Sequence, residues 1–144
     1  MTASRAIARI WHCRSGTAAI EFAFVIGPLM LLMFGAIEVA RLVWVRKAID
    51  ESAISGARCM GIKAAACATA DHVDPVATKA HIRKQAGSWG LSLASSMIEL
   101  DEAAGCGEPT GGFSSVIISY QFNSVLTLLT GPRLSFEACF PNQD

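Results

Sequence analysis

Charge is what this sequence has least of. Asp, Glu, Lys and Arg make up only 17% of its 144 residues, against roughly 25% in an average soluble protein. Hydrophobic residues make up 52%. Intrinsic disorder, which needs low hydrophobicity and high charge, is excluded. Neither sign is in excess, since twelve basic and twelve acidic side chains cancel. The basic patch that marks a nucleic-acid-binding module is missing, so no nucleic-acid partner is expected. Catalytic signatures are missing as well. There is no Gly-x-Ser-x-Gly, no Walker A loop, no His-Glu-x-x-His and no Cys-x-x-Cys. Gly105-x-Gly107 lacks the third glycine of a dinucleotide site. His12, His72 and His81 are isolated. Asp71, His72, Asp74, His81 and Cys67 form a loose polar group, but no spacing among them fits zinc. The expectation is no enzyme, no cofactor and no metal.

What charge there is lies unevenly. Residues 1–16 hold Arg5, Arg9 and Arg14 and no acid, and the rest of the chain holds nine basic and twelve acidic side chains. Removing the first sixteen residues would leave a chain of net charge −3.

The dominant positive feature is an apolar run. Phe22 to Ile37 (FAFVIGPLMLLMFGAI) carries no charge at all. With its flanks, the segment 17–40 reaches the ~20 residues needed to cross ~30 Å of hydrocarbon. A domain this small could hardly bury sixteen consecutive apolar residues on every face of a helix. Membrane insertion is therefore expected, with lipid as a partner. A cleaved secretory signal is disfavoured, because Glu38-Val39-Ala40-Arg41-Leu42 follows where a small-x-small site would stand. Cys13 precedes the run, so a lipoprotein signal is disfavoured too. Basic residues flank both ends of the run, and charge counting leaves its orientation open. Pro28 inside the run removes a backbone hydrogen bond and favours a kink. Ala19, Ala23 and Gly27 recur every fourth residue. That spacing gives a small-residue stripe suited to close helix packing, or simply reflects ordinary alanine content.

Glu21 is out of place in such a run. An acid in a membrane helix costs up to ~2.5–3.5 kcal/mol at the helix centre, and less near an edge. No Lys or Arg lies one turn away, and the residue one turn back is Thr17. If the chain were cut between Gly16 and Thr17, Thr17 would carry a free α-amino group with an ordinary pKa near ~8. Positions i and i+4 face each other on a helix, so that amine could neutralise Glu21 in its own or a neighbouring chain. A glutamate solvated among lipid headgroups is the alternative.

Arg14-Ser15-Gly16-Thr17-Ala18-Ala19-Ile20-Glu21-Phe22 looks like a class III signal, the type cut by prepilin peptidases. The stretch from Gly16 to Arg58 resembles the TadE-like family, minor pilins (pseudopilins) of the tight-adherence (Flp) pilus system. The matching positions are Gly16, Ala18, Ala19, Glu21, Phe22, Ala23, Pro28, Glu38, Ala57 and Arg58; Gly27 departs from the bulkier aliphatic residue expected before the proline. The resemblance implies that Gly16 and Thr17 flank the scissile bond and that Glu21 pairs with a mature N-terminus during assembly. It implies a leader (1–16) in the cytoplasm, an inner-membrane helix (17–40) and a periplasmic domain (41–144). It further implies prepilin peptidase, other pseudopilins and inner-membrane pilus assembly proteins as partners, with possible entry into a pilus fibre. The rival reading is an uncleaved single-pass accessory subunit, or an anchored binding domain of another envelope complex.

Beyond the run, Leu42, Val45, Ile49, Ala53, Gly56 and Met60 form one helical stripe, opposed by Arg46, Lys47, Asp50, Glu51 and Arg58. Trp44, near Arg41 and Arg46, suits a membrane interface or a core. Asp74-Pro75 reads as a cap and first turn for a helix over 76–88 that closes at Gly87 or Gly90. Leu93 to Leu100 reads as a strand, and residues 105–112 as a loop. Ser115 to Phe122 is the clearest strand, Leu126 to Leu129 is ambiguous, and Leu134 to Phe140 alternates like a half-buried strand. The fold class is α+β: a long N-terminal transmembrane helix continuing into a small pilin-like domain with an antiparallel sheet. Without the leader, Cys59, Cys67, Cys106 and Cys139 remain, and four cysteines allow three pairings. Cys59–Cys67 and Cys106–Cys139 are favoured, closing a short loop after the long helix and tying the interstrand loop to the last strand; buried free thiols are the alternative.

Overall fold

A computed structural model of the chain describes residues 15–69, 72–107, 112–125 and 131–143. Most of the proposed leader, with Cys13 and His12, falls outside them, as do Asp71 and the 126–129 patch. The chain divides into two compact units, Met1–Val39 and Ala40–Asp144.

The described part of the first unit is helix. Helix α1 runs over Ser15–Gly61 and continues past Pro28. Proline has no N–H, so the carbonyl of Phe24 loses its usual donor four residues on. Twelve large apolar side chains between Ile20 and Val39 are exposed, Phe24 at 76% among them. Burying each is worth about 1.5–3 kcal/mol, so leaving all of them in water forgoes tens of kcal/mol. That imbalance is the physical case for a lipid surround. By length and composition the helix can cross a membrane, and the most apolar part of it has no side chain buried by the rest of the chain.

The second unit is an α+β domain. The α1 residues from Ala40 onward are followed by a two-residue hairpin, β1 (Ala68–Thr69) and β2 (His72–Val73). Helix α2 spans Pro75–Ser88 and a short 3-10 turn spans Ser95–Met97. Three strands complete the fold: β3 (Ile98–Ala104), β4 (Phe113–Gln121) and β5 (Arg133–Pro141). They form one antiparallel sheet in the order β3-β4-β5, with Ile98 opposite Ile118 and Ile118 opposite Phe136.

Alternation decides which face of the sheet is covered. Leu134, Phe136, Ala138 and Phe140 of β5 join Val116, Ile118 and Tyr120 of β4 on the core side. The intervening Ser135, Glu137 and Cys139 are exposed. One buried face and one wetted face is the usual arrangement of an antiparallel sheet. The core is filled from α1 by Ala48, Ile49, Ala53, Ala57 and Met60, and from α2 by Ile82 and Ala86. The stripe expected from sequence is thus the buried face of α1. Its small end packs closely: a Cβ on Gly56 would come within 2.6 Å of Ile82.

Local rules hold where the sequence stated them. Asp74 caps α2, its Oδ1 accepting from the N–H of Val76 (2.8 Å) and of Ala77 (3.1 Å). Proline follows at the first position, where its missing N–H costs nothing. The helix closes at Trp89, followed by Gly90 at φ +76°. Three buried hydroxyls have partners: Ser52 donates to the Ala48 carbonyl, Thr78 to that of Cys67 and Ser114 to Oδ1 of Asn142.

One expectation needs correction. The strand assigned to Leu93–Leu100 begins only at Ile98 and runs to Ala104. Leu91 and Leu93 are buried, but as an irregular segment held by Arg83, whose Nε donates to the Leu93 carbonyl at 3.0 Å. Apolar residues alone cannot tell a buried loop from a strand. The pairing of β1 with β2 is an addition, too short to leave a periodic signal in sequence.

Candidate functional site

The segment that carries the proposed processing chemistry is the first turn and a half of α1. Gly16, Thr17 and Glu21 are all exposed, and Thr17 and Glu21 stand four residues apart on one face of the helix. A Cβ placed on Gly16 would meet nothing within 4 Å, so the backbone there is open to approach. Among the described residues Glu21 has neither a hydrogen-bond nor an ion-pair partner within the chain. Ala19, Ala23 and Gly27 lie on one exposed stripe of the same helix, and a Cβ at Gly27 would also meet open space. Among the described residues, Gly27 therefore has no packing partner that requires a glycine.

Further along α1 the side chains turn from lipid-like to mixed. Lys47 bridges Glu51 at 3.0 Å and Asp50 at 3.3 Å. These two carboxylates, Glu51 foremost, hold its ammonium above the ordinary lysine pKa. Trp44 is exposed, not core, yet it is held in place. Its Nε1 donates to the Trp89 carbonyl at 3.1 Å, and the two indole rings meet edge to face with centroids 5.3 Å apart. The Arg41 guanidinium lies 5.5 Å from the centre of the Phe122 ring.

The cysteines are joined in the two favoured pairs. Cys59 is bonded to Cys67, with Cα atoms 5.9 Å apart, and Cys106 to Cys139 at 6.3 Å. The first closes the turn after α1; the second fastens the β3–β4 connection to β5. His81 comes within 4.8 Å of the first pair. Its Nε2 is 3.1 Å from the Ser55 hydroxyl. With both sulfurs in a disulfide, that trio offers no thiolate to a metal. Of the polar group noted in sequence, Cys67 and His81 come within 4.8 Å of each other, and Asp71 lies outside the described residues. Asp74 is occupied as a helix cap, and His72 is exposed on β2. A shallow cleft of about 450 Å³ beside His81 is lined by Glu51, Ile54, Ser55, Arg58 and Gln85. It is open to solvent, and the Ser55 hydroxyl and the His81 imidazole, 3.1 Å apart, both line it. Trp89 and Phe122 as neighbours of Trp44 and Arg41 were not foreseen, because pairs 45 and 81 positions apart leave no local signal.

Residues 16–58 match the family model described as TadE-like protein. The match spans the same stretch that carries the resemblance in sequence. It covers most of α1 and none of the sheet. No curated protein and no solved structure matches the chain.

Proposed function

We propose that this chain is a TadE-like minor pilin, a pseudopilin that serves assembly of the tight-adherence (Flp) pilus. The observation that carries the reading is the TadE-like segment itself. Within it, an exposed glutamate stands one turn from Thr17 at the head of a helix apolar enough to cross a membrane. By itself the family match points to a protein associated with the Tad pilus; the finer role is inferred from residue chemistry.

In this reading the chain is inserted in the inner membrane by α1, with residues 1–16 in the cytoplasm and the domain from residue 41 in the periplasm. Disulfides fit an oxidising compartment on that side. A prepilin peptidase cuts between Gly16 and Thr17. Cleavage removes three arginines and exposes the α-amino group of Thr17. The amine, protonated near neutral pH, then neutralises Glu21 within the chain or on the next subunit. Neutralisation matters because an unpaired carboxylate in hydrocarbon is costly, so the pair forms most strongly where water is excluded. Other pseudopilins and inner-membrane assembly proteins take the small-residue stripe Ala19, Ala23 and Gly27 as a packing face. The chain itself performs no catalysis.

Determining the N-terminus of the membrane-extracted protein tests this. A chain that begins at Thr17, and stays uncut when Gly16 is replaced, supports processing. A chain still beginning near Met1 in a host with active prepilin peptidase overturns it and leaves an uncleaved accessory subunit.

A further inference from the structure

We infer that the end of the second unit carrying Trp44, Trp89 and Phe122 seats in the lipid headgroup layer, so that the domain meets the membrane through its tertiary fold as well as through α1. The inference rests on the membrane reading of α1 and adds an interaction surface to it.

Depth comes first. Twenty residues of helix span the ~30 Å hydrocarbon core, which places its outer edge near Val39. Trp44 lies five residues further, about 7.5 Å along the helix axis. A headgroup layer is roughly 5–7.5 Å thick on each side. Arg41 therefore falls within it and Trp44 at its outer boundary.

Tertiary contacts then bring other elements to the same depth. Trp89, the residue that closes α2, packs edge to face on Trp44 and accepts its indole hydrogen bond. Phe122, just past β4 and itself buried in the core, sits under the Arg41 guanidinium and holds it at this end of the domain. The end of α2 and the segment after β4 thus meet the four residues Arg41 to Trp44 of α1. The hydrogen bond has a consequence for solvation. Indoles favour the interface because one end is apolar and the N–H wants a partner. Here the N–H is already satisfied by the Trp89 carbonyl, while Trp44 remains 56% exposed. What it offers outward is apolar ring. Val43 is exposed beside it, and Val125, three residues beyond Phe122, is 70% exposed.

Charge favours lipid over a basic protein partner. None of residues 39–46, 86–90 or 122–125 is acidic, and Arg41 and Arg46 are basic. A cationic, aromatic patch without carboxylates suits the anionic surface of a membrane.

The test uses the full chain in vesicles of phosphatidylcholine and phosphatidylglycerol. A Trp11→Phe/Trp44→Phe variant leaves Trp89 as the reporter, and Trp11→Phe/Trp89→Phe leaves Trp44. A third chain with all three tryptophans changed to Phe carries Val76→Trp, at a position 79% exposed near the opposite end of α2. Quenching is read with lipids brominated high on the acyl chain and with aqueous iodide. The expected result is that Trp89 and Trp44 are quenched by bromolipid and lose most of their iodide quenching, while the indole at position 76 stays open to iodide. Val125→Asp should reduce bromolipid quenching of Trp89 while circular dichroism stays unchanged. If Trp44 is quenched by lipid but Trp89 is as open to iodide as position 76, the seat is overturned and the membrane reading stands. Shielding of Trp89 without bromolipid quenching means a protein covers the patch and also overturns the seat. A chain that fails to float with vesicles sinks the membrane reading itself.

Discussion

Gly56 of α1 lies so close to Ile82 of α2 that a methyl group added to it would stand 2.6 Å from both Cγ1 and Cδ1 of that side chain. Ile82 is fully buried, and the same added methyl group would stand 3.4 Å from Cγ2 of Val116 in β4. A fully buried isoleucine has little room to give way. In an open helix Gly→Ala gains roughly 0.5–1 kcal/mol from backbone entropy, whereas overpacking a filled core costs about 1–3 kcal/mol. The second effect wins here. Gly56→Ala should lower stability by about 1–2 kcal/mol, read as a lower denaturation midpoint of the full chain in detergent. Gly27→Ala, where a Cβ meets open space, should leave that midpoint unchanged or raise it.

The cap of α2 gives a second prediction. Asp74 accepts from two of the first N–H groups of the helix, which have no partner within it. Asp74→Ala should cost about 0.5–2 kcal/mol, and Asp74→Ser should recover most of that. Thermal unfolding of the three proteins side by side checks the order.

The disulfides differ in the length of chain they close. Cys59–Cys67 spans 8 residues and Cys106–Cys139 spans 33. Chain entropy then predicts about 2.5 kcal/mol for the first and about 3.7 kcal/mol for the second. Replacing the cysteines pairwise by serine should hurt more at Cys106 and Cys139, measured as the drop in midpoint under oxidising conditions. Equal losses, or the reverse order, would show that local packing outweighs loop closure.

Glu21 separates insertion from assembly. Glu21→Gln keeps the shape of the side chain and removes its charge, which makes the helix cheaper to insert. Membrane extraction and the N-terminal mass should be those of the parent protein. Pilus formation in a strain depending on this chain should fall, because the Thr17 amine loses its partner. Unchanged piliation would leave Glu21 without the pairing role.

Particular residues show why sequence was informative in some places and silent in others. Asp74-Pro75 announced α2 correctly, because capping is a contact between neighbours in the chain. The β-branched and aromatic residues of β4 and the alternation of β5 announced the sheet, because such residues suit a pleated surface and a strand with one wet face must alternate. Leu93 misled, since it is buried in an irregular segment held by Arg83 and packed in the core, not in a paired strand. The hairpin β1–β2 was missed for want of length. Among the candidate site residues, Gly16, Thr17 and Glu21 were legible as a motif, and the structure adds that all three are exposed.

The sequence by itself determined what local and compositional physics controls. Sixteen uncharged apolar residues, a glutamate one turn from Thr17, a capped second helix and two strands, one β-branched and one alternating, can each be read from neighbours a few positions apart. Tertiary structure alone decided what depends on distant pairs. It set Trp44 against Trp89, Arg41 over Phe122 and Gly56 against Ile82, and it placed His81 beside a disulfide. The reason is that shape complementarity between elements far apart in the chain is fixed by packing in three dimensions, and packing has no period along the sequence.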